Sequence, residues 1–208
     1  MKAKASARFA PENVFEQVRS RLKLMEGRQD LRPSSSESAS ESAQLLCPAA
    51  VLIGLAAYPD EVMVILTQRT SALRVHSGQI AFPGGKIDMR DETPAAAALR
   101  EAHEEIGLDA SQAEPLGYLD PYVTGTGFCI IPVVAKVATP ITFKINPDEV
   151  DEVFEVPFAF LMDPANHALR HKEIEGKVRH FHAMPYGPRN IWGVTAGILR
   201  NLYERLYC

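Results

Sequence analysis

Residues 85–108 read GKIDMRDETPAAAALREAHEEIGL, and this stretch decides the fold of the chain. Thr93 is a typical N-cap, Pro94 suits a first helical turn, and Gly107 is a typical stop after good helix formers. Between these signals, small and aliphatic residues recur at intervals of three and four, which predicts a helix with one buried stripe. The stripe consists of Ala95, Ala98, Leu99, Ala102 and Ile106.

Three glutamates project together from another arc of this helix. At about 100° per residue, Glu101 and Glu105 stack one turn apart, with Glu104 beside them. Like charges at this spacing repel unless water screens them, as on a solvated acidic face, or a divalent cation binds between them. Mg²⁺ prefers carboxylate oxygens, keeps several waters and takes further oxygens from substrate phosphates. A carbonyl of the preceding glycine turn can approach the same ion, which makes Gly85 a further candidate ligand.

The same residues resemble the signature of the Nudix hydrolases, G-x5-E-x7-R-E-U-x-E-E-x-G-U, where U is aliphatic. Its second half is met in register by Arg100, Glu101, Glu104, Glu105, Gly107 and Leu108, with Ala102 at the small aliphatic position. Glu92 lies at the correct distance before Arg100, but Gly85 lies one residue too far from Glu92, so Lys86 stands where the glycine is expected. The loop is therefore lengthened, and its acid is either Glu92 or Asp91.

The resemblance implies a Nudix α/β/α sandwich, with a mixed β-sheet between helical layers. It also implies hydrolysis of a diphosphate with Mg²⁺ or Mn²⁺ held by Glu101, Glu104 and Glu105, the cation polarising a phosphoryl oxygen and activating water. Arg100 is expected to orient these carboxylates rather than to contact the substrate.

A second resemblance lies immediately upstream, in residues 66–85, LTQRTSALRVHSGQIAFPGG. This segment resembles the additional signature of the coenzyme A pyrophosphatase branch, roughly L-T-x-R, L-R-x-H-x-G-Q and F-P-G-G, and that branch also lengthens the loop. The matching residues are Arg69, Leu73, Arg74, His76, Gly78, Gln79, Phe82, Pro83, Gly84 and Gly85. The resemblance implies hydrolysis of coenzyme A and acyl-coenzyme A to 3′,5′-ADP and (acyl-)4′-phosphopantetheine.

Four residues of this region are candidates for binding the substrate. The planar guanidinium groups of Arg69 and Arg74 suit phosphate oxygens, although surface ion pairs are the alternative. His76 either donates to the substrate or holds its loop to the next strand, and Lys86 adds local positive charge. Because a 3′-phosphate beside the diphosphate needs more local cation, Arg69 and Arg74 are expected to favour coenzyme A over its 3′-dephospho form.

The C-terminal part resembles the same branch through residues 146–157 and 191–199, so the resemblance covers about residues 48–206. Many family members supply a further carboxylate from the first of these segments, as a metal ligand or as the base that activates water. Glu152 ranks ahead of Glu149 for this role, and an acidic loop capping a strand is the alternative. Trp192 and Tyr186 are interpreted as core aromatic residues rather than rings stacked on adenine.

Composition excludes several other classes. The 208 residues, 46% of them hydrophobic, can bury one sizeable core. A net charge of −4 argues against a general nucleic-acid binder. We therefore expect a small anionic substrate that is attracted by local positive side chains and the bound cation. Cys47, Cys129 and Cys208 are scattered and predict reduced thiols. No apolar run is long enough to cross a membrane, and we expect a cytoplasmic protein.

We expect the chain to divide into an N-terminal helix plus Ser/Glu-rich linker, residues 1–47, and a second part, residues 48–208, that the resemblance implies is a Nudix hydrolase domain. The helix is predicted over residues 11–25, and residues 27–44 are too polar to offset the entropy of ordering. Strands are predicted at residues 51–58, 62–68 and 130–137, and a closing helix at residues 193–206.

Two other functions remain open at this point. One is a Nudix enzyme for another nucleoside diphosphate derivative, such as ADP-ribose, NADH or an oxidised nucleotide; the upstream signature argues against it. The other is a non-catalytic Nudix module that binds a nucleotide and regulates a partner. The presence of Glu101, Glu104 and Glu105 argues against such a module, since loss of these acids is its simplest sequence sign.

Overall fold

Two long parallel strands form the centre of the main sheet. The computed structural model describes residues 7–22, 46–71, 78–174 and 176–208. Within them, β1 (Cys47–Ala57) pairs in parallel with β7 (Phe128–Ala138) over the whole length of both strands. The neighbouring pairs are antiparallel, so the sheet is mixed, as predicted.

The described strands form two sheets. The larger has eight strands: β1, β7, β2 (Val62–Arg69), β3 (Ile80–Ala81), β4 (Gly84–Lys86), β5 (Ala113–Tyr118), β6 (Tyr122–Val123) and β8 (Val150–Pro157). Their order is β3-β2-β1-β7-β5. In addition, β4 pairs with β1, β6 with β7 and β8 with β2. The smaller is antiparallel, in the order β11-β10-β9, and comprises β9 (Ala168–Ile174), β10 (Lys177–Tyr186) and β11 (Arg189–Trp192). The smaller sheet was not anticipated from the sequence.

Helices cover both faces of the larger sheet. They are α1 (Pro11–Arg21), α2 (Pro94–Ile106), the short α3 (Phe158–Leu161) and α4 (Val194–Tyr207). Side chains alternate across β1, so Leu52 packs with α2, whereas Ile53 and Leu55 pack with α1 and α4. Burial on both faces explains the nearly continuous apolar run of this strand and confirms the expected α/β/α sandwich.

Helix α2 begins and ends where its sequence predicts. The Oγ1 of Thr93 accepts a hydrogen bond from the N–H of Ala96 at 3.1 Å, and Gly107 ends the helix at φ 68°. A Cβ atom at Gly107 would lie 2.9 Å from the Cβ of Lys144, so the close approach of that chain also requires glycine. The N–H of Lys144 donates to the carbonyl of Ile106 at 2.9 Å, which ties the end of the helix to the segment that leads into β8.

The other predicted elements are also present. Helix α1 begins at Pro11, and Val14, Phe15 and Val18 are buried in one cluster with α4. The three predicted strands correspond to β1, β2 and β7, and the closing helix to α4. The predicted linker, residues 27–44, lies outside the described residues. No helix in the described part of the chain is long and apolar enough to span a membrane.

Candidate active site

Helix α2 and strand β4 hold two of the predicted acids together. Glu105 is 2% exposed, and its Oε2 accepts a hydrogen bond from the N–H of Gly84 at 3.2 Å. A Cβ atom at Gly85 would lie 2.5 Å from the carboxylate of Glu101, so the absence of a side chain there makes room for that carboxylate. Gly84 and Gly85, the latter the candidate backbone ligand, thus lie directly against both acids.

The carboxylates of Glu101 and Glu105 lie close together and are largely shielded from solvent. Burial raises the pKa of Glu105 to about 7, and the charges of Glu149 and Glu101 raise it further against the opposing effects of the Gly84 N–H and Arg69. Burial also raises the pKa of Glu101, with Arg100 opposing. A desolvated pair of carboxylates that protein cations neutralise only in part is a setting in which a divalent cation binds well.

Arg100 contacts three acids, Asp91, Glu101 and Glu104, and orients their carboxylates. Its Nε and Nη2 donate to Oδ1 and Oδ2 of Asp91 at 3.1 and 3.0 Å. Its Nη1 donates to Glu101 at 2.9 Å and to Glu104 at 3.3 Å, and its Nη2 also donates to the carbonyl of Lys86 at 3.1 Å. These contacts raise the pKa of Arg100, with the hydrogen bonds to Asp91 the largest cause. Its guanidinium faces protein acids, in keeping with the orienting role expected from the sequence.

The loop acid is Asp91. Its side chain is buried and carries the two-point contact with Arg100, whereas Glu92 is exposed. The N–H of Asp88 also donates to Oδ2 of Asp91 at 2.8 Å, and the N–H of Asp91 donates to the carbonyl of Asp88 at 3.1 Å. The lengthened loop therefore closes on itself and presents Asp91, not Glu92, to the helix.

Of the two predicted substrate-binding residues that the structure describes, Arg69 contacts one of the acids. Its Nη1 is 3.6 Å from Oε1 of Glu105. Lys86 is exposed on β4 and borders the same site. Arg74 and His76 lie outside the described residues.

Glu149, immediately before β8, and Glu152, within β8, have different neighbours. Glu149 lies close enough to raise the pKa of both Glu101 and Glu105. Its Oε1 accepts a hydrogen bond from Nδ2 of Asn146 at 3.3 Å. Glu152 instead forms an ion pair with Arg189 of the smaller sheet. The geometry thus favours Glu149 as the additional carboxylate, the reverse of the order expected from the sequence.

The donor set fits an open magnesium or manganese site. Glu101, Glu104, Glu105 and the carbonyl of Gly85 supply only oxygen atoms, the ligand type of hard cations. Within the described residues, no three Asp, Glu, His or Cys side chains already converge as a metal-binding group. Arg100 contacts Oε1 of Glu101 and Oε2 of Glu104, which leaves the second oxygen of each. Water and substrate oxygens would complete such a site, as is usual for Mg²⁺.

A cleft of about 330 Å³ opens beside these acids. Its lining includes the polar side chains of Arg69, Lys86, Thr124 and Thr126, together with Gly85 and Trp192. Its lining is otherwise largely apolar and includes Val51, Phe82, Phe128, Ile130 and Ile198.

Trp192 lies at this cleft and is 38% exposed, which corrects its interpretation as a core residue. Tyr186 is half-buried and packs on the ring of Phe160 at a centroid distance of 4.9 Å, as a core residue would. Sequence reasoning also missed Thr124 and Thr126, because no local pattern marks their loop as part of a site.

Comparison with known proteins identifies the class. The profile of the NUDIX domain matches residues 48–176. The uncharacterized Nudix hydrolase NudL of Klebsiella pneumoniae (strain 342) is 38% identical over 172 residues, covering 83% of this chain and 87% of the relative. The uncharacterized Nudix hydrolase NudL of Escherichia coli (strain K12) is 39% identical over 158 residues, which cover 74% of this chain and 80% of that relative. The chain therefore belongs to the Nudix family.

Within that family it is a Nudix diphosphatase, a hydrolase that acts on phosphorus-containing anhydrides. Nudix hydrolases generally need divalent ions such as Mg²⁺ or Mn²⁺, in agreement with the donor set described above.

Solved structures agree on the fold. The NUDIX domain of Shewanella oneidensis NrtR, complexed with ADP ribose, is 16% identical with a TM-score of 0.50, and the match covers 82% of this chain and 95% of that domain. DR0079 from Deinococcus radiodurans is 15% identical with a TM-score of 0.51, covering 81% and 89%. At this identity the likeness concerns the fold alone.

Proposed function

We propose that the enzyme hydrolyses the diphosphate bond of coenzyme A and acyl-coenzyme A to 3′,5′-ADP and 4′-phosphopantetheine or its acylated form. One observation carries this proposal: the described residues that resemble the coenzyme A pyrophosphatase signature border the cleft beside the acids. They include Arg69, Gln79, Phe82, Gly84 and Gly85. Their position supports a single site shared by the described part of the upstream segment and the acidic helix.

The acids would hold the cation. Glu101, Glu104 and Glu105, with the carbonyl of Gly85, would bind Mg²⁺ or Mn²⁺, which supplies a Lewis acid for a phosphoryl oxygen and for bound water. Arg100 holds Glu101 and Glu104 in place through its contacts with Asp91. This arrangement fixes the carboxylates before the substrate arrives, so little reorganisation is needed for phosphoryl transfer.

Charged residues around the acids would do the remaining work. Arg69 would offset the repulsion between Glu105 and the diphosphate, and Lys86 would add positive charge to the same cleft. We assign to Glu149 the role of accepting the proton of the attacking water. Its segment is held at the acids by the hydrogen bond from the N–H of Asn146 to the carbonyl of Glu105 at 2.9 Å, and its charge raises the pKa of both Glu101 and Glu105. The apolar lining of the cleft would receive an uncharged part of the substrate.

We expect the enzyme to act in the cytoplasm. Cys47, Cys129 and Cys208 are free thiols in the structure, which suits a reducing compartment. The substrate is a small molecule.

The test is a comparison of substrates. Purified enzyme with Mg²⁺ is incubated with coenzyme A, acetyl-coenzyme A, ADP-ribose, NADH and an oxidised nucleotide, and the products are identified by mass spectrometry. Cleavage in H₂¹⁸O shows which phosphorus water attacks, because the label appears in only one product. We expect the highest kcat/KM for coenzyme A or its acyl form. Preference for ADP-ribose or NADH would contradict the proposal.

The matched control is Glu105→Gln under the same conditions. It should show only the background of contaminating phosphatases. Equal product formation by this variant would show that the measured activity does not come from the described site.

A further inference from the structure

One face of the smaller sheet carries three cations and two aromatic rings. In the register of β9 and β10, Arg170 lies opposite Phe181, and Lys172 lies opposite Arg179. Directly opposite residues of an antiparallel pair point to the same side, and the side alternates along each strand, so these four residues share a face. Trp192 shares it as well, because it lies opposite Ala183 on β11. We call this set the basic face.

Ring contacts confirm this assignment of sides. The rings of Phe181 and Trp192 meet edge to face at a centroid distance of 5.6 Å. On the opposite side of the same strands, His171 and His180 lie 6.1 Å apart.

The basic face continues from the rim of the cleft. A Cβ atom at Gly125 would lie 3.0 Å from Nη1 of Arg179, so this guanidinium lies against the loop that contains Thr124 and Thr126. Both threonines line the cleft, and so does Trp192 of the basic face. Arg179 therefore lies against this loop of the cleft, whereas Arg69 lies next to the acids, 3.6 Å from Glu105.

The charges of the basic face are available to a ligand. Arg170, Lys172 and Arg179 are exposed, and the described side chains of this face include no acid. Glu173, the nearest acid along β9, lies opposite Val178 on the other side. Two guanidinium groups and an ammonium group on neighbouring positions repel one another, and a phosphate monoester, with about two negative charges, relieves that repulsion.

We propose that Arg179, together with Arg170 and Lys172, binds a phosphate monoester of the substrate that is remote from the hydrolysed diphosphate. This inference rests on the proposed function, in which that group is the 3′-phosphate of coenzyme A. Arg69 was expected from the sequence to contribute to binding of the 3′-phosphate, but its guanidinium lies 3.6 Å from Glu105. This proposal therefore assigns Arg69 to the diphosphate and the 3′-phosphate to the basic face. The two cationic groups would bind the two anionic parts of one substrate, with the apolar cleft between them.

The test compares substrates that differ only in the 3′-phosphate. Arg179→Gln should lower kcat/KM for coenzyme A by about tenfold or more and that for 3′-dephospho-coenzyme A by less than about twofold. Arg179→Lys, which keeps a charge, should recover part of the loss. The control is His171→Ala, because His171 lies on the same hairpin but on the side opposite the basic face. This substitution should leave kcat/KM for both substrates unchanged. Equal losses on both substrates, or a selective loss in Arg69→Ala but not in Arg179→Gln, would overturn the inference.

A binding experiment separates this inference from the proposed function. If the wild-type enzyme hydrolyses neither form of coenzyme A, the proposed function fails, and calorimetry with 3′,5′-ADP and AMP then decides the inference alone. Tighter binding of 3′,5′-ADP by the wild type, with the difference lost in Arg179→Gln, would support the phosphate site. Equal affinities for the two nucleotides would refute it.

Discussion

The guanidinium of Arg69 lies 3.6 Å from the carboxylate of Glu105, although 35 positions separate the two residues in the chain. Strand β2 supplies the cation and helix α2 the acid. Because Glu105 is almost fully buried, this contact, together with the Gly84 N–H, is what offsets its charge in the metal-free protein. The pair thus joins the segment expected to select the substrate to the acids expected to bind the metal.

Removal of one helical acid should abolish most of the activity. Glu105→Gln or Glu101→Gln should lower kcat by roughly 100-fold or more, since loss of several kcal/mol of charge stabilisation costs a factor of ten per 1.4 kcal/mol. EDTA should have the same effect on the wild type. Steady-state rates at several Mg²⁺ concentrations, with circular dichroism to verify the fold, provide the measurement. A near-wild-type rate at saturating Mg²⁺ would disprove the metal-binding role.

The two candidate loop acids should differ sharply. Asp91→Asn weakens a buried two-point contact with Arg100, so the free energy of unfolding should fall by about 1–3 kcal/mol, and activity should fall with it. Glu92→Gln changes an exposed side chain and should alter stability by less than about 0.5 kcal/mol. Urea denaturation of both variants checks this. If Glu92→Gln were the more damaging change, the loop would differ from the one described here.

Local sequence was sufficient for helix α2. Its cap at Thr93 and its stop at Gly107 follow from neighbouring residues, and both are confirmed. The predicted apolar stripe is buried except at Leu99, which is half-buried. The choice between Asp91 and Glu92 was open because it depends on burial, which follows from how the loop closes rather than from spacing. Glu92 has the spacing to Arg100 that the family pattern requires and Asp91 lies one position earlier, but it is Asp91 that contacts Arg100.

The positions of Trp192 and Glu149 could not be predicted from the sequence, because both depend on pairing between distant segments. The place of Trp192 at the cleft depends on the pairing of β11 with β10, which no local pattern revealed. The position of Glu149 depends on two backbone bonds from distant segments: the Asn146 N–H to the Glu105 carbonyl at 2.9 Å, and the Thr70 N–H to the Glu149 carbonyl at 3.0 Å. A single sequence carries no periodicity that would report such contacts.

The metal-free enzyme should lose stability as the pH rises towards neutrality. Burial raises the pKa of Glu105 from 4.5 to about 7, so the folded state binds this proton more tightly than the unfolded state. The contribution is fully present below the unfolded pKa and is lost as the pH rises through about 7. At about 1.4 kcal/mol for each pH unit, the total is about 3 kcal/mol.

Urea denaturation in EDTA across pH 4.5–8.5 measures this effect. In Glu105→Gln the pH dependence should be smaller by that amount, because the amide does not titrate. Saturating Mg²⁺ should restore stability to the wild type above neutral pH, since metal binding favours the ionised carboxylate. An unchanged pH dependence in the variant would show that Glu105 is not the group responsible.

The identity of the base should follow from a matched pair of variants. Glu149→Gln should lower kcat by about 10²–10⁴-fold, the usual range for loss of a general base. Glu152→Gln breaks the ion pair with Arg189, which is partly exposed, so kcat should change little and stability by less than about 1 kcal/mol. Mn²⁺ titration of both variants separates the two roles of Glu149: an unchanged affinity indicates the base, and a parallel loss of affinity indicates a metal ligand. A large kcat loss in Glu152→Gln with normal Glu149→Gln kinetics would instead restore the order that the sequence suggested.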